Sequence, residues 1–198
     1  MQKNNYFFWG ITALIVIPAI PGITIDSNEA VEINPVINKQ KEIALTSTTS
    51  KHKAFLDTIA YAEGTYGKGD NGYNIKFGGS TFSDYSKHPD DCVTFKLPGL
   101  GRRCSTAAGR YQIMNFNATK MPDFSPKSQD LWTLNKLKQI NALKQIDSGN
   151  ISKAIALSCS TWASFPCYNG DKKGRYNQPV KPLPDLISFY NKRLKTYR

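Results

Sequence analysis

Glu63 is the residue in this sequence around which a chemistry can be built. It closes the segment Lys-His-Lys-Ala-Phe-Leu-Asp-Thr-Ile-Ala-Tyr-Ala-Glu, residues 51–63, and Gly64 follows it. Phe55, Leu56, Ile59 and Ala60 recur at helical spacing. At about 100° per residue Glu63 falls on the same apolar stripe, between Leu56 and Ile59. A carboxyl group so placed loses water, which disfavours its ionised form, and the negative end of the helix acts in the same direction. A carboxylic acid still protonated near neutral pH is what the leaving oxygen of a glycosidic bond requires. The competing reading is a helix-end glutamate that reaches solvent or pairs with a lysine. Asp57 lies on the opposite face, where a solvated surface charge is expected rather than a second catalytic group.

The elements that must hold such an acid can be read on either side of it. Gly64 is a C-terminal helix stop. Tyr73, Ile75 and Phe77 alternate with Asn74 and Lys76 as a short strand, and Gly78-Gly79 marks a turn. Phe82 to Tyr85 is expected to return as a second strand and Cys92 to Phe95 to form a third. Pro98, Gly99 and Gly101 then loop back to Cys104. Aromatic faces on a small sheet stack against sugar rings or, equally, form the core of a β subdomain. Ser105 or Thr106 is expected to cap a helix. Gln112 both donates and accepts hydrogen bonds, which suits an acetamido or hydroxyl partner. Ser125-Pro126 opens a further helix, with Leu131, Leu134, Leu137, Ile140 and Leu143 on one face, ending at Asp147-Ser148-Gly149-Asn150. Ile151, Ile155 and Cys159 continue a buried stripe toward Trp162, which either floors a cleft or packs in the core. Lys172, Lys173 and Arg175 form a solvated loop, and residues 183–195 a final amphipathic helix.

Composition narrows the class. In 198 residues, 40% are apolar and 12% aromatic, which suits a folded domain rather than disorder. The net charge of +11 favours polyanionic partners without choosing among them. Cys92, Cys104, Cys159 and Cys167 form no Cys-x-x-Cys pair and have no histidine at metal spacing. A zinc site is disfavoured, and no metal or cofactor is expected. Two disulfides are the better reading in an oxidising compartment, the local pairings Cys92–Cys104 and Cys159–Cys167 being preferred; four reduced thiols are the alternative. Residues 6–25 carry no charge, follow Lys3, and are interrupted by Pro18 and Pro21. Residues 1–25 are therefore expected to be a signal peptide or a membrane anchor, either of which exports the chain. Residues 26–50 read as a flexible linker and residues 51–198 as the folded domain.

Several short motifs occur in register: Tyr61-Ala62-Glu63-Gly64-Thr65, Gly72-Tyr73-Asn74, Gly78-Gly79, Tyr85-Ser86-Lys87-His88-Pro89, Ala108-Gly109-Arg110-Tyr111-Gln112, Asp123-Phe124-Ser125-Pro126-Lys127-Ser128-Gln129-Asp130 and Trp162-Ala163-Ser164-Phe165-Pro166. Together they resemble the phage lambda endolysin family, a lysozyme-like group of lytic transglycosylases. The resemblance covers residues 51 to the C-terminus. It implies an α+β, lysozyme-like fold, a mainly helical lobe and a small β-hairpin lobe flanking a glycan cleft. It implies a muramidase that cleaves the β-1,4 bond between N-acetylmuramic acid and N-acetylglucosamine in peptidoglycan and leaves 1,6-anhydro ends. The family's catalytic glutamate matches Glu63. Substrate contacts are expected at Tyr73, Asn74, Tyr111, Gln112 and Trp162. The family segment often reads Gly-Tyr-Asp; with Asn74 at that place a second carboxylate is absent, which disfavours a two-carboxylate retaining hydrolase. The cysteines and the N-terminal segment also depart from the family. A hydrolytic lysozyme and a catalytically inactive peptidoglycan-binding module are the alternatives, the latter opposed by the presence of Glu63 and Gln112. The expected partner is the glycan strand of peptidoglycan, with a possible membrane anchor through 6–25, no nucleic acid, and a monomeric, extracytoplasmic (periplasmic or secreted) protein.

Overall fold

The segment after Thr49 has what a helix needs at both ends. Thr49 Oγ1 accepts a hydrogen bond from the His52 N–H at 3.3 Å, and Gly64 leaves the helix in the left-handed conformation, φ 74°, where its N–H meets the carbonyls of Ala60 and Tyr61. Helix α1 spans Ser50–Glu63. The computed structural model describes residues 48–97, 101–168, 170–172 and 179–198. The expected export segment and most of the expected linker, with Lys173 and Arg175, lie outside the described residues. Within that linker Thr49 is instead the cap of α1, and Ser50 its first residue.

Almost every side chain from Ala54 to Ala62 is buried, so α1 is a central helix covered on all sides. Its cover comes from α3 (Pro126–Gln139), α4 (Ala142–Asp147) and the last helix, α6 (Leu183–Thr196). This overturns the expectation for Asp57. The face assigned to solvent lies under α6, and Asp57 is only 4% exposed. A buried carboxylate requires compensating charge. Arg110 Nη2 donates to its Oδ1 at 2.5 Å, and Arg193 Nε and the Tyr197 hydroxyl donate to Oδ2 at 2.6 and 2.8 Å.

The rest of the helical lobe follows its apolar pattern with one break. Ser125 caps α3 by accepting from the Ser128 N–H, and Leu134 and Leu137 are buried. The single helix expected as far as Asp147 is interrupted at Asn141, whose φ of 59° is left-handed, and α4 restarts behind it. Helix α5 (Ile151–Ser158) buries Ile151 and Ile155, and Cys159 just beyond it. Phe55 of α1 meets Phe165 and Tyr190 edge-on, with ring centroids 6.0 and 6.4 Å apart.

The β lobe is smaller than expected. Strands β1 (Val93–Leu97) and β2 (Gly101–Ser105) form one antiparallel hairpin with Thr94 opposite Cys104. The Cys92–Cys104 disulfide staples it, at a Cα separation of 5.3 Å. The strands expected at Tyr73–Phe77 and Phe82–Tyr85 do not form: the first is a turn carrying only the isolated bridges Ile75–Thr81 and Lys76–Ala108, and the second is irregular. Gly78 and Gly79, at φ 84° and 97°, turn the chain before a ladder can extend. The helix expected after Ser105 is also absent. Ala108 bridges Ile113 around a turn with positive φ at Gly109 and Gln112, and only the short α2 (Asn115–Ala118) follows. The Thr106 hydroxyl serves Asn115 across that turn rather than a helix start. Among the described residues no helix is long and apolar enough to cross a membrane.

Candidate active site

Glu63 is the last residue of α1, and the left-handed turn at Gly64 leaves its half-buried side chain facing a cleft of about 450 Å³. Burial raises its pKa from 4.5 to about 7, against the lowering effect of a hydrogen bond from Ser164. The Ser164 hydroxyl donates to Oε1 at 2.5 Å across 101 residues of sequence. Ser164 sits in the turn after α5, bracketed by the Cys159–Cys167 disulfide, and its carbonyl accepts from the Lys181 N–H at 3.2 Å. Nothing in the sequence pattern links residue 164 to residue 63; only the fold of this turn against the end of α1 does.

Gln112 lines the same cleft from the β-lobe side. It is held at φ 47°, an uncommon conformation for a residue with a side chain. Its Nε2 donates to the carbonyls of Gly109 and Ile75 at 3.0 and 3.2 Å. With both protons engaged, Oε1 is the atom left to accept from a ligand N–H or hydroxyl. Trp162 borders the cleft but is 2% exposed, and its Nε1 donates to the Tyr111 carbonyl at 3.1 Å. It is a core residue with one edge on the cleft.

Tyr73, Asn74 and Tyr111 do not line the cleft. Tyr111 is 1% exposed and its hydroxyl donates to Asp130 at 2.5 Å; the half-buried Tyr73 donates to the same oxygen at 2.8 Å. Burial pushes Asp130 upward while these two hydrogen bonds pull it back. The Arg110 guanidinium lies over the rings of Tyr73 and Tyr66, at 5.2 and 5.5 Å from the centroids. In the structure both tyrosines hold the segment that presents Gln112. Asn74 also lies outside the lining of the cleft. Its Oδ1 accepts from the Asp70 N–H at 2.9 Å, so it holds a turn.

Sequence reasoning missed Phe77, Phe116, Asn117, Lys136 and Thr161 in the cleft wall. Among the described lining residues Glu63 is the only carboxylate. Among the described residues no cluster of three or more His, Cys, Asp or Glu side chains is placed to hold a metal.

Comparison with known proteins gives the family and the fold. The family model described as Endolysin matches residues 53–196. The chain is similar to the endolysin of Escherichia phage lambda, 40% identical over 132 residues, covering 62% of this chain and 81% of that protein. It is also similar to the endolysin of Escherichia phage P2, 34% identical over 174 residues, covering 79% of this chain and 94% of that one. Among solved structures, bacteriophage lambda lysozyme complexed with a chitohexasaccharide matches with a TM-score of 0.64 and 36% identity, over 73% of this chain and 94% of that chain. The architecture is lysozyme-like α+β.

Proposed function

Because the chain belongs to the Endolysin family, we propose that it degrades peptidoglycan by cleaving the β-1,4 bond between N-acetylmuramic acid and N-acetylglucosamine, as a lytic transglycosylase with Glu63 as its acid. The observation that carries the reading is a lone carboxyl group, raised to about 7, on a cleft with no second carboxylate among its described lining residues. Retaining and inverting hydrolases both use a second carboxylate, about 5–9.5 Å from the first. One acid suffices if the second nucleophile belongs to the substrate. Protonated Glu63 gives its proton to the bridging oxygen as the bond from the muramyl C1 breaks. The carboxylate so formed accepts the proton of the muramyl 6-hydroxyl as that oxygen bonds to C1. A 1,6-anhydro end results, no water is consumed, and Glu63 is returned protonated. Gln112 Oε1 is suited to accept from an acetamido N–H.

Ser164 acts through Glu63 as a positioning residue. The relative complexed with a chitohexasaccharide supports a glycan as ligand. The two disulfides support an oxidising, extracytoplasmic setting, reached through residues 1–25 as signal or anchor.

Digestion of purified peptidoglycan followed by mass spectrometry tests this. Anhydro ends, lost in Glu63→Gln, are expected; reducing ends would assign a hydrolase instead. Undiminished activity of Glu63→Gln would remove Glu63 from the chemistry.

A further inference from the structure

The cleft does not end at Glu63. A second groove of about 430 Å³ adjoins it, and the two share Phe116, Asn117 and Lys136 as a common wall. Trp162 borders the first and Trp132 the second, and their rings meet edge to face at 6.4 Å, so one aromatic pair stands behind both. Phe116, on α2 at the junction, is 65% exposed. An uncovered ring at such a place is a surface on which a substrate can lie.

The charges of the two spaces differ. The cleft holds Glu63 together with the shared Lys136. The adjoining groove has Lys120 and Lys136 in its wall, with amide side chains at Asn117, Asn135 and Gln139 and no carboxylate among its described lining residues. Neither lysine makes an ion pair among the described residues. Two unneutralised ammonium groups beside amide donors select a carboxylate. A neutral stretch of glycan offers none. The muramyl unit does, on its lactyl group or on the peptide carried there.

Resting on the glycan-cleaving reading, we propose that this groove binds the carboxylate-bearing substituent of the muramyl residue, with Lys120 and Lys136 as its carboxylate-binding residues and Phe116 as the apolar support beside them. Held there, the substituent fixes which sugar of the strand meets Glu63.

The test is steady-state kinetics of the full chain on three soluble glycan strands: peptide-bearing, amidase-stripped with free lactyl carboxylates, and stripped strands whose lactyl carboxylates are converted to amides. The variants are Lys120→Ala/Lys136→Ala and, for the same loss of charge elsewhere, Lys144→Ala/Lys153→Ala. The first is expected to lose about tenfold in kcat/KM on peptide-bearing strands, several times more than on amidated ones, and to lose less at high salt. A loss that disappears on stripped strands assigns the peptide's carboxylates; a loss of similar size there, where stripping frees the lactyl carboxylate from its amide bond to the peptide, shows that the groove takes a carboxylate at either place. An equal loss on all three substrates, or a loss matched by the control variant, overturns the groove assignment while leaving glycan cleavage standing. Failure of the wild type to cleave any strand overturns both.

Discussion

At Glu63 desolvation and one hydrogen bond pull in opposite directions, and each can be removed separately. Burial holds the proton on to about pH 7, so turnover that needs the acid form falls as pH rises through that value. The same shift weakens the fold. Between 4.5 and about 7 the folded chain keeps a proton that the unfolded chain releases. Stability therefore falls as pH rises through that window, and the deficit is complete above it. Glu63→Gln is expected to abolish cleavage and yet to be more stable than wild type at pH 8 by ~1–3 kcal/mol, the difference vanishing below about pH 4.5 in urea titrations. Ser164→Ala removes the hydrogen bond that lowers the Glu63 pKa. The alkaline limb of its kcat/KM profile is expected to move to higher pH, with about 1 kcal/mol of stability lost. A limb that stays in place would mean that Ser164 has no hold on the acid.

Among the elements, the two stapled turns have unequal consequences. Cys159–Cys167 closes a span of 8 residues around Ser164, and Cys92–Cys104 a span of 12 in an exposed hairpin. By loop entropy each contributes roughly 3 kcal/mol, so replacing either pair with serine should lower Tm by a similar amount. Peptidoglycan turnover is expected to suffer more from loss of Cys159–Cys167, since that loop positions the partner of Glu63. Helix α1 and its Gly64 stop were readable from spacing and capping chemistry, because both are local. The strands expected around residue 75 and the helix expected after Ser105 do not form for an equally local reason: left-handed conformations at Gly78, Gly79, Gly109 and Gln112 break the alternation and the small-residue run before either can extend.

Across the whole molecule, Asp57 is the tie. Through Arg110 it binds α1 to the turn that presents Gln112, and through Arg193 and Tyr197 to the C-terminal end of α6. Asp57→Ala leaves Arg110 buried without its carboxylate, an expected cost of ~3–5 kcal/mol by urea unfolding; a cost under about 1 kcal/mol would show that the network is dispensable. The sequence by itself determined a glutamate on the apolar stripe at a helix end, most of the amphipathic helices, the preferred local disulfide pairings and the hydrogen-bonding capacity of Gln112. Each rests on periodicity, short separation or side-chain chemistry that a linear reading retains. Tertiary structure alone decided that Asp57 is interior, that Tyr73 and Tyr111 brace the core, that Ser164 meets Glu63, and that Phe116 and Lys136 join the cleft to a second groove. Those facts depend on which faces two distant segments turn toward each other. Burial of a common core fixes that choice, and no spacing along the chain records it.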